Sequence, residues 1–180
     1  MTDKNVIGHS FDNINKIIDN TEGFGAFDYI LKDNILGKLC LDVGGGKYDF
    51  NKFYVDYYHN IKLDVIDPLR SSKDNINISN NLKNKYDSCV SISVLNVIEN
   101  KNERIEHIKL CYSCLKENGK AFFIIYKGDN SNISSTNKNY YQHNKDIDFY
   151  INDIKTIFGK HYTIKINDFF VTCRKNYNLV

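Results

Sequence analysis

The chain has no tryptophan, a single proline and a formal net charge of only +2 over its 180 residues. A balance that near to neutral argues neither for nor against an acidic partner. No apolar run reaches the roughly eighteen residues that a membrane-spanning helix needs, so a membrane protein of that kind is excluded. The opening MTDKNVIGHSFDN lacks the apolar stretch of a secretory signal, and a cytoplasmic location is expected. Cysteine is present five times, an odd number, at Cys40, Cys89, Cys111, Cys114 and Cys173. Most lie inside apolar runs and read as small core residues in a reducing compartment. Cys111 and Cys114 form a CxxC with no second Cys or His pair beside it, so no metal site is expected. No repeat recurs at a fixed period.

Asn, Lys, Ile, Tyr and Phe are abundant instead. Their codons are AT-rich, so the bias reads as genomic. The asparagine clusters NINISNNLKN and NSNISSTNKN accordingly read as loops. Between them the hydrophobic pattern alternates. Phe11, Ile14, Ile17 and Ile18, then Phe27, Ile30, Leu31 and Ile35, have helical spacing and predict two N-terminal helices within residues 10–36. Strands are predicted at Lys38–Val43, Ile61–Ile66, Tyr86–Ser93 and Lys120–Tyr126, with a short one near Asn75–Ile78. Helices are predicted after the first strand through Tyr57, over Asn100–Lys116 with Gly119 closing it, and near Asp146–Phe158. Gly128–Tyr141 reads as a long polar loop, and His161–Ile166 with Phe169–Arg174 as a hairpin. This order indicates an α/β fold: a doubly wound, Rossmann-like sheet of about seven strands with a C-terminal antiparallel hairpin. The chain divides into N-terminal helices, 1–36, that cover the substrate edge, and a core, 37–180, within a single domain.

Three of the ten glycines stand together in LCLDVGGGKYDF. A glycine turn between a strand and a helix lets backbone approach a ligand closely. A phosphate-binding loop of the form GxxxxGK followed by Ser or Thr is excluded, because Tyr48 follows Lys47 and the first glycine is missing. A dinucleotide fingerprint GxGxxG has Gly44 and Gly46, but Asp49 holds the third place, where bulk hinders helix–strand packing.

Asp42-Val43-Gly44-Gly45-Gly46, an acid and an apolar residue before GxG, resembles the corresponding turn of class I S-adenosylmethionine-dependent methyltransferases. The likeness extends along the chain. Asp67 ends the second strand, YDSCVSISVLNVIEN resembles the family's fourth-strand motif, and LKENGKAFFIIY its helix end, glycine turn and fifth strand. It covers roughly residues 36 to 174. VLNVIEN, IIYKGDNS and YYQHNKDIDFYI also resemble a group of small methyltransferase-like proteins, some from phages and bacteria; that likeness names a relative without naming a reaction.

The resemblance implies S-adenosyl-L-methionine as cofactor and assigns roles by position. Asp42 orients the glycine turn or meets the cofactor's amino group, and Gly44, Gly45 and Gly46 lay backbone against it. Asp67 accepts the ribose hydroxyls, Ile78 and Ser79 hold the adenine edge, and Ser91 and Ser93 frame the methionine end. Simpler readings stand beside these. Asp42 caps the next helix, Asp67 starts a turn before Pro68, and Ser91 and Ser93 are strand residues bonded to backbone. Asn96 touches substrate or caps the following helix, and His143 is a solvated loop histidine or a substrate contact.

No motif pins a catalytic base. SISV replaces the NPPY-type motif of amino-directed DNA and protein methyltransferases, which puts base amines low among acceptors. Tyr140, Gln142 and His143 are the candidate substrate contacts, near the carboxyl edge of the sheet where ligands bind. Polymeric nucleic acid usually calls for a basic stripe with stacking aromatics. The lysines here are scattered among acids, although Lys47, Lys52, Lys127, Lys138 and Lys145 converge if the fold brings them together. A small-molecule or nucleotide-sized acceptor is therefore favoured, with a nucleic-acid methyltransferase and a catalytically silent, cofactor-binding partner subunit as alternatives.

Overall fold

A computed structural model describes residues 30–31, 36–46, 50–67, 78, 81–126, 134–137 and 140–176. Its elements run β1 (Leu39–Val43), α1 (Phe50–His59), β2 (Lys62–Ile66), β3 (Tyr86–Ile92), a 3-10 turn (Leu95–Val97), α2 (Lys101–Cys114) and β4 (Leu115–Ile124). They continue with β5 (Ser134–Asn137), β6 (Tyr140–His143), α3 (Ile147–Phe158), a 3-10 turn (Lys160–Tyr162), β7 (Thr163–Lys165) and β8 (Phe170–Arg174). One sheet has the order β2-β1-β3-β4-β8-β7, and β5 and β6 form a separate pair. β1 lies parallel to β2 and β3, and β3 parallel to β4, while β8 is antiparallel to both β4 and β7. The alternating pattern closed by an antiparallel hairpin is thus the observed fold.

The described sheet has six strands rather than about seven. The missing strand was expected near Asn75–Ile78, of which 75–77 lie outside the described residues and Ile78 is helical. Most of the two N-terminal helices also lies outside the described residues. Ile30 and Leu31 are helical and buried in the core.

The period-2 alternation of the strands builds two apolar layers. Leu41, Val43, Cys89, Phe123 and Val171 face Ile108 and Cys111 of α2 and Tyr150, Ile154 and Phe158 of α3. Cys40, Leu63, Val65, Val90, Phe122 and Phe170 pack on the other face with Ile30 and Val55. All five cysteines are buried there as free thiols. Each fully buried Leu, Ile or Phe contributes about 1.5–3 kcal/mol relative to exposure.

α2 starts at Asn100, whose side chain accepts from the Asn102 N–H at 2.8 Å. Its buried stripe is Arg104, Ile108, Cys111 and Cys114. The helix stops at Cys114 without a glycine cap, a correction to the role expected of Gly119. The carbonyls of Ser113 and Cys114 instead accept N–H groups of Asn84 and Lys85, each at 2.9 Å. Gly119 falls inside β4, in an irregularity where pairing jumps from Tyr86↔Leu115 to Ser88↔Lys120. A second correction concerns Gly128–Tyr141. Its described part is no loop: β5 and β6 pair from Ser134↔His143 to Asn137↔Tyr140.

Beneath β2, the Asp64 carboxylate accepts from the Tyr86 hydroxyl at 2.8 Å and from Lys85 Nζ at 3.0 Å. Partial burial raises the carboxyl pKa, but these two donors outweigh it and hold it below the ordinary value. A lowered carboxyl pKa stabilises the fold above the unfolded value of about 3.9, and the contribution disappears as pH falls through the folded one. Asp64→Asn should therefore be less stable than wild type near about pH 7, with the difference shrinking as pH falls below about 3.9, as read from urea midpoints.

Candidate functional site

The chain leaves β1 at Val43 and reverses over the carboxyl ends of β1 and β2. Gly44 and Gly46 take φ of +87° and +74°, which side-chain-bearing residues avoid. The Gly44 N–H donates to the Ile66 carbonyl at 2.8 Å, fixing the turn to the end of β2. The Gly46 N–H donates to Asp67 Oδ2 at 2.9 Å. Asp67, the first residue beyond β2, is thus held directly against the glycine turn. Asp42 is buried beneath it. A Cβ added at Gly45 would stand 2.4 Å from Asp42 Oδ2, and one at Gly44 would stand 2.6 Å from Val94 Cγ2, whereas at Gly46 it would enter open space.

Above this turn lies a cavity of about 570 Å³ lined by Gly44, Asp67 and Ser93 with Val94, Val97, Ile98, Leu82, Leu110 and His107. It combines an acid, a hydroxyl and an imidazole with an apolar wall, the mixture typical of small-ligand sites. Another cavity of about 590 Å³, over Phe122, Phe170, Ile164 and Ile166, carries cationic side chains at its rim but no acid. Of the residues expected at the cofactor, Gly44, Asp67 and Ser93 share the first cavity. Ile78 packs against the core, and Ser79 lies outside the described residues.

Ser91 is not bonded to backbone as the simpler reading held. Its Oγ lies 2.8 Å from His107 Nε2. Cys111 lies one turn along from His107 on α2. Burial disfavours the imidazolium of His107, yet Cys111 and Asp42 outweigh it and raise the pKa. Burial likewise raises the Cys111 thiol, but Cys89 and His107 bring it down to about 6. No sequence motif announced His107. The available signal was its four-residue spacing from Cys111 on a helix that covers β3.

The cavity wall 94–98 is braced from behind. Asn96, buried in the 3-10 turn, donates from Nδ2 to Gln142 Oε1 of β6 at 3.0 Å. It does not cap α2, where Asn100 serves. Arg104 donates to the carbonyls of Ile98 and Glu99 at 3.1 and 2.8 Å and to Asp153 Oδ2 at 3.3 Å. His143 is no solvated loop residue: it ends β6 and is buried, its ring 4.6 Å from that of Phe149. Desolvation lowers its pKa, as do Lys145 and Arg104, so the ring is neutral at neutral pH. Among the described residues Asn96 Oδ1, His143 Nδ1 and Asn144 Oδ1 are buried with no hydrogen-bond partner. Tyr140 opens β6.

No protein-family model and no curated protein sequence matches the chain. Solved structures do. The 1,6-didemethyltoxoflavin-N1-methyltransferase of Burkholderia thailandensis, solved with 1,6-didemethyltoxoflavin and S-adenosylhomocysteine bound, superposes with a TM-score of 0.63 at 9% identity, over 93% of this chain and 84% of that one. This chain has the class I S-adenosylmethionine-dependent methyltransferase fold. S-adenosylmethionine-dependent methyltransferases of Methanosarcina mazei and Clostridium acetobutylicum each superpose with a TM-score of 0.55, at 12% and 13% identity. They cover 81% and 89% of this chain and 97% and 94% of their own. In this class I fold the glycine turn, Asp67 and the 94–98 wall meet at one sheet edge, the carboxyl ends of β1, β2 and β3. No described helix is long and apolar enough to cross a membrane.

Proposed function

We propose that the protein is a methyltransferase that uses S-adenosyl-L-methionine and acts on a small-molecule or nucleotide-sized acceptor. The observation that carries this reading is the Gly46–Asp67 hydrogen bond at the mouth of a 570 Å³ cavity. It fixes a carboxylate where ribose hydroxyls can donate to it, beside a turn whose Gly46 leaves open space for a ligand. Gly44, Gly45, Gly46, Asp67 and Ser93 hold the cofactor, with Asp42 bracing the turn, Ser91 acting through His107, and Ile78 and Ser79 at the adenine side. When bound, S-adenosylmethionine supplies a methyl group on a positively charged sulfur. The apolar wall of Val94, Val97 and Ile98 excludes water from that region, and positioning supplies much of the remaining rate enhancement. Tyr140, Gln142 and His143 form the acceptor side, with residues 1–36 covering that edge. The similarity to an enzyme solved with a small heteroaromatic substrate supports the size class.

Calorimetry and thermal shift should show S-adenosylmethionine and S-adenosylhomocysteine binding and stabilising the fold, and NAD doing neither. Tighter binding of NAD would sink the reading. Asp67→Ala should lose about 1.5–3 kcal/mol of cofactor binding through its charge-assisted hydrogen bonds, with the unfolding midpoint little changed. Wild-type affinity in that variant would reduce Asp67 to a turn residue. The acceptor is found by incubating the protein with methyl-labelled cofactor and cell extract. Label in small molecules is expected. Label in nucleic acid would overturn the acceptor class, and label in neither fraction despite cofactor binding would favour a silent partner subunit.

A further inference from the structure

The cofactor reading gives the cavity-lining His107 no role beyond its tie to Ser91. His107 is the only imidazole among the described residues of the cavity wall, and the wall carries no lysine or arginine. It is tied to Ser91 at 2.8 Å, which fixes the ring on the α2 side of the cavity. Its neighbours leave its charge to titration. The titratable groups acting on it are Cys111 on its own helix and Asp42 on β1, with Cys89 of β3 acting in turn on Cys111. Asp67 is the one acid among the described lining residues of the cavity.

On the cofactor reading above, we propose that His107 is a specificity-determining residue that makes the cavity distinguish the cationic methyl donor from its uncharged product, in favour of the donor when the site is deprotonated. The argument is one of charge. S-adenosylmethionine carries a zwitterionic amino acid and a sulfonium, a net charge of +1. S-adenosylhomocysteine has the same zwitterion and a neutral thioether. The two ligands otherwise make the same contacts, so only a charge facing the cavity separates them strongly.

His107 and Cys111, one turn apart on α2, act on each other's titration and are counted as one unit. Whether the neutral pair is imidazole with thiol or imidazolium with thiolate, its charge rises from zero to +1 when it gains a proton. That added charge opposes the sulfonium and leaves the thioether nearly untouched. Falling pH therefore weakens the donor relative to the product. By linkage, the bound donor lowers the pKa of the pair relative to the bound product. The sulfonium draws the donor's amino pKa down toward about 8, so the comparison is made below about pH 7, where both ligands keep a protonated amine and an ionised carboxylate and the contrast belongs to the protein.

The test measures both dissociation constants by calorimetry between about pH 7 and about pH 5.5. The ratio of donor to product dissociation constants is expected to rise about tenfold over that range in wild type. In His107→Gln, which keeps a hydrogen-bonding group for Ser91 but has no proton to gain, the ratio is expected to stay level. A level ratio in wild type, or an unchanged rise in the variant, overturns the assignment. If the variant fails to fold, ring-nitrogen NMR of the wild-type protein decides: His107 should titrate at lower pH in the donor complex than in the product complex. Equal titration in the two complexes overturns the assignment. Absence of binding by both ligands at every pH would overturn the cofactor reading itself, an outcome distinct from a level ratio.

Discussion

Arg104→Ala is expected to cost about 3–4 kcal/mol of stability, because it removes one partner of a buried ion pair and strands the other. The Arg104 and Asp153 side chains are 5% and 7% exposed, with Nε and Oδ2 3.3 Å apart. The guanidinium also holds the carbonyls of Ile98 and Glu99 and lies 5.3 Å from the Phe149 ring. All of these are lost together. Lys101 Nζ, 3.6 Å from Asp153 Oδ1, softens the loss, since it remains to face the carboxylate. Ile98 belongs to the cavity wall, so cofactor affinity should fall as well. Denaturant midpoints check the first effect and calorimetry the second. Arg104→Met combined with Asp153→Leu should recover much of the stability, because no charge is then left buried. An Arg104→Ala protein with the wild-type midpoint would mean that the pair holds nothing.

Gly44→Ala should be of similar size and should act on stability and cofactor binding at once. At φ +87° a side-chain-bearing residue is strained by about 1–3 kcal/mol. The new methyl would also stand 2.6 Å from Val94 Cγ2 and 3.1 Å from Cγ1, an overpacking that costs a further 1–3 kcal/mol or so. Together a loss of about 2–6 kcal/mol is expected. Val94 can relieve the clash only by moving into the cavity it lines, which takes space from the ligand. Adding Val94→Ala should restore part of the stability and leave the backbone strain. Gly46→Ala is the control: its φ is also positive, but nothing lies within 4 Å of the added carbon, so it should be the milder change. Equal losses at the two positions would assign the whole effect to backbone and none to Val94.

The fold and half of the cavity were readable in the sequence because they rest on local patterns. Alternating apolar residues marked β1 to β4, and DVGGG marked the turn, since positive φ and close approach are requirements that only glycine meets cheaply. Asp67 was readable because it ends a strand one connection later. What escaped depends on contacts distant in sequence. Arg104 looks like one charge among several in KNER, and only Asp153, 49 residues on, makes it a core residue. His107 gains meaning from Ser91 across the helix–sheet interface. The polar run 128–141 read as loop because its many Asn and Ser residues favour turns over strands. Cross-strand pairing with Tyr140–His143 overrides that weak preference. Gly119 was misplaced because Asn84 and Lys85 satisfy the end of α2 from outside the helix.

The β5–β6 pair shares no ladder with the six-stranded sheet. Its register is internal, and among the described residues it is tied to the rest of the molecule by side-chain bonds such as Gln142 to Asn96 and the Tyr150 hydroxyl to the His143 carbonyl. Substitutions or insertions at its tip therefore leave the pairing of β1 through β4, and the glycine turn that depends on it, mechanically untouched. Such a module is free to diverge while the half of the protein that grips the methyl donor stays constant. On the proposed reading, changing what this chain methylates calls for rewriting one short ribbon rather than rebuilding the sheet.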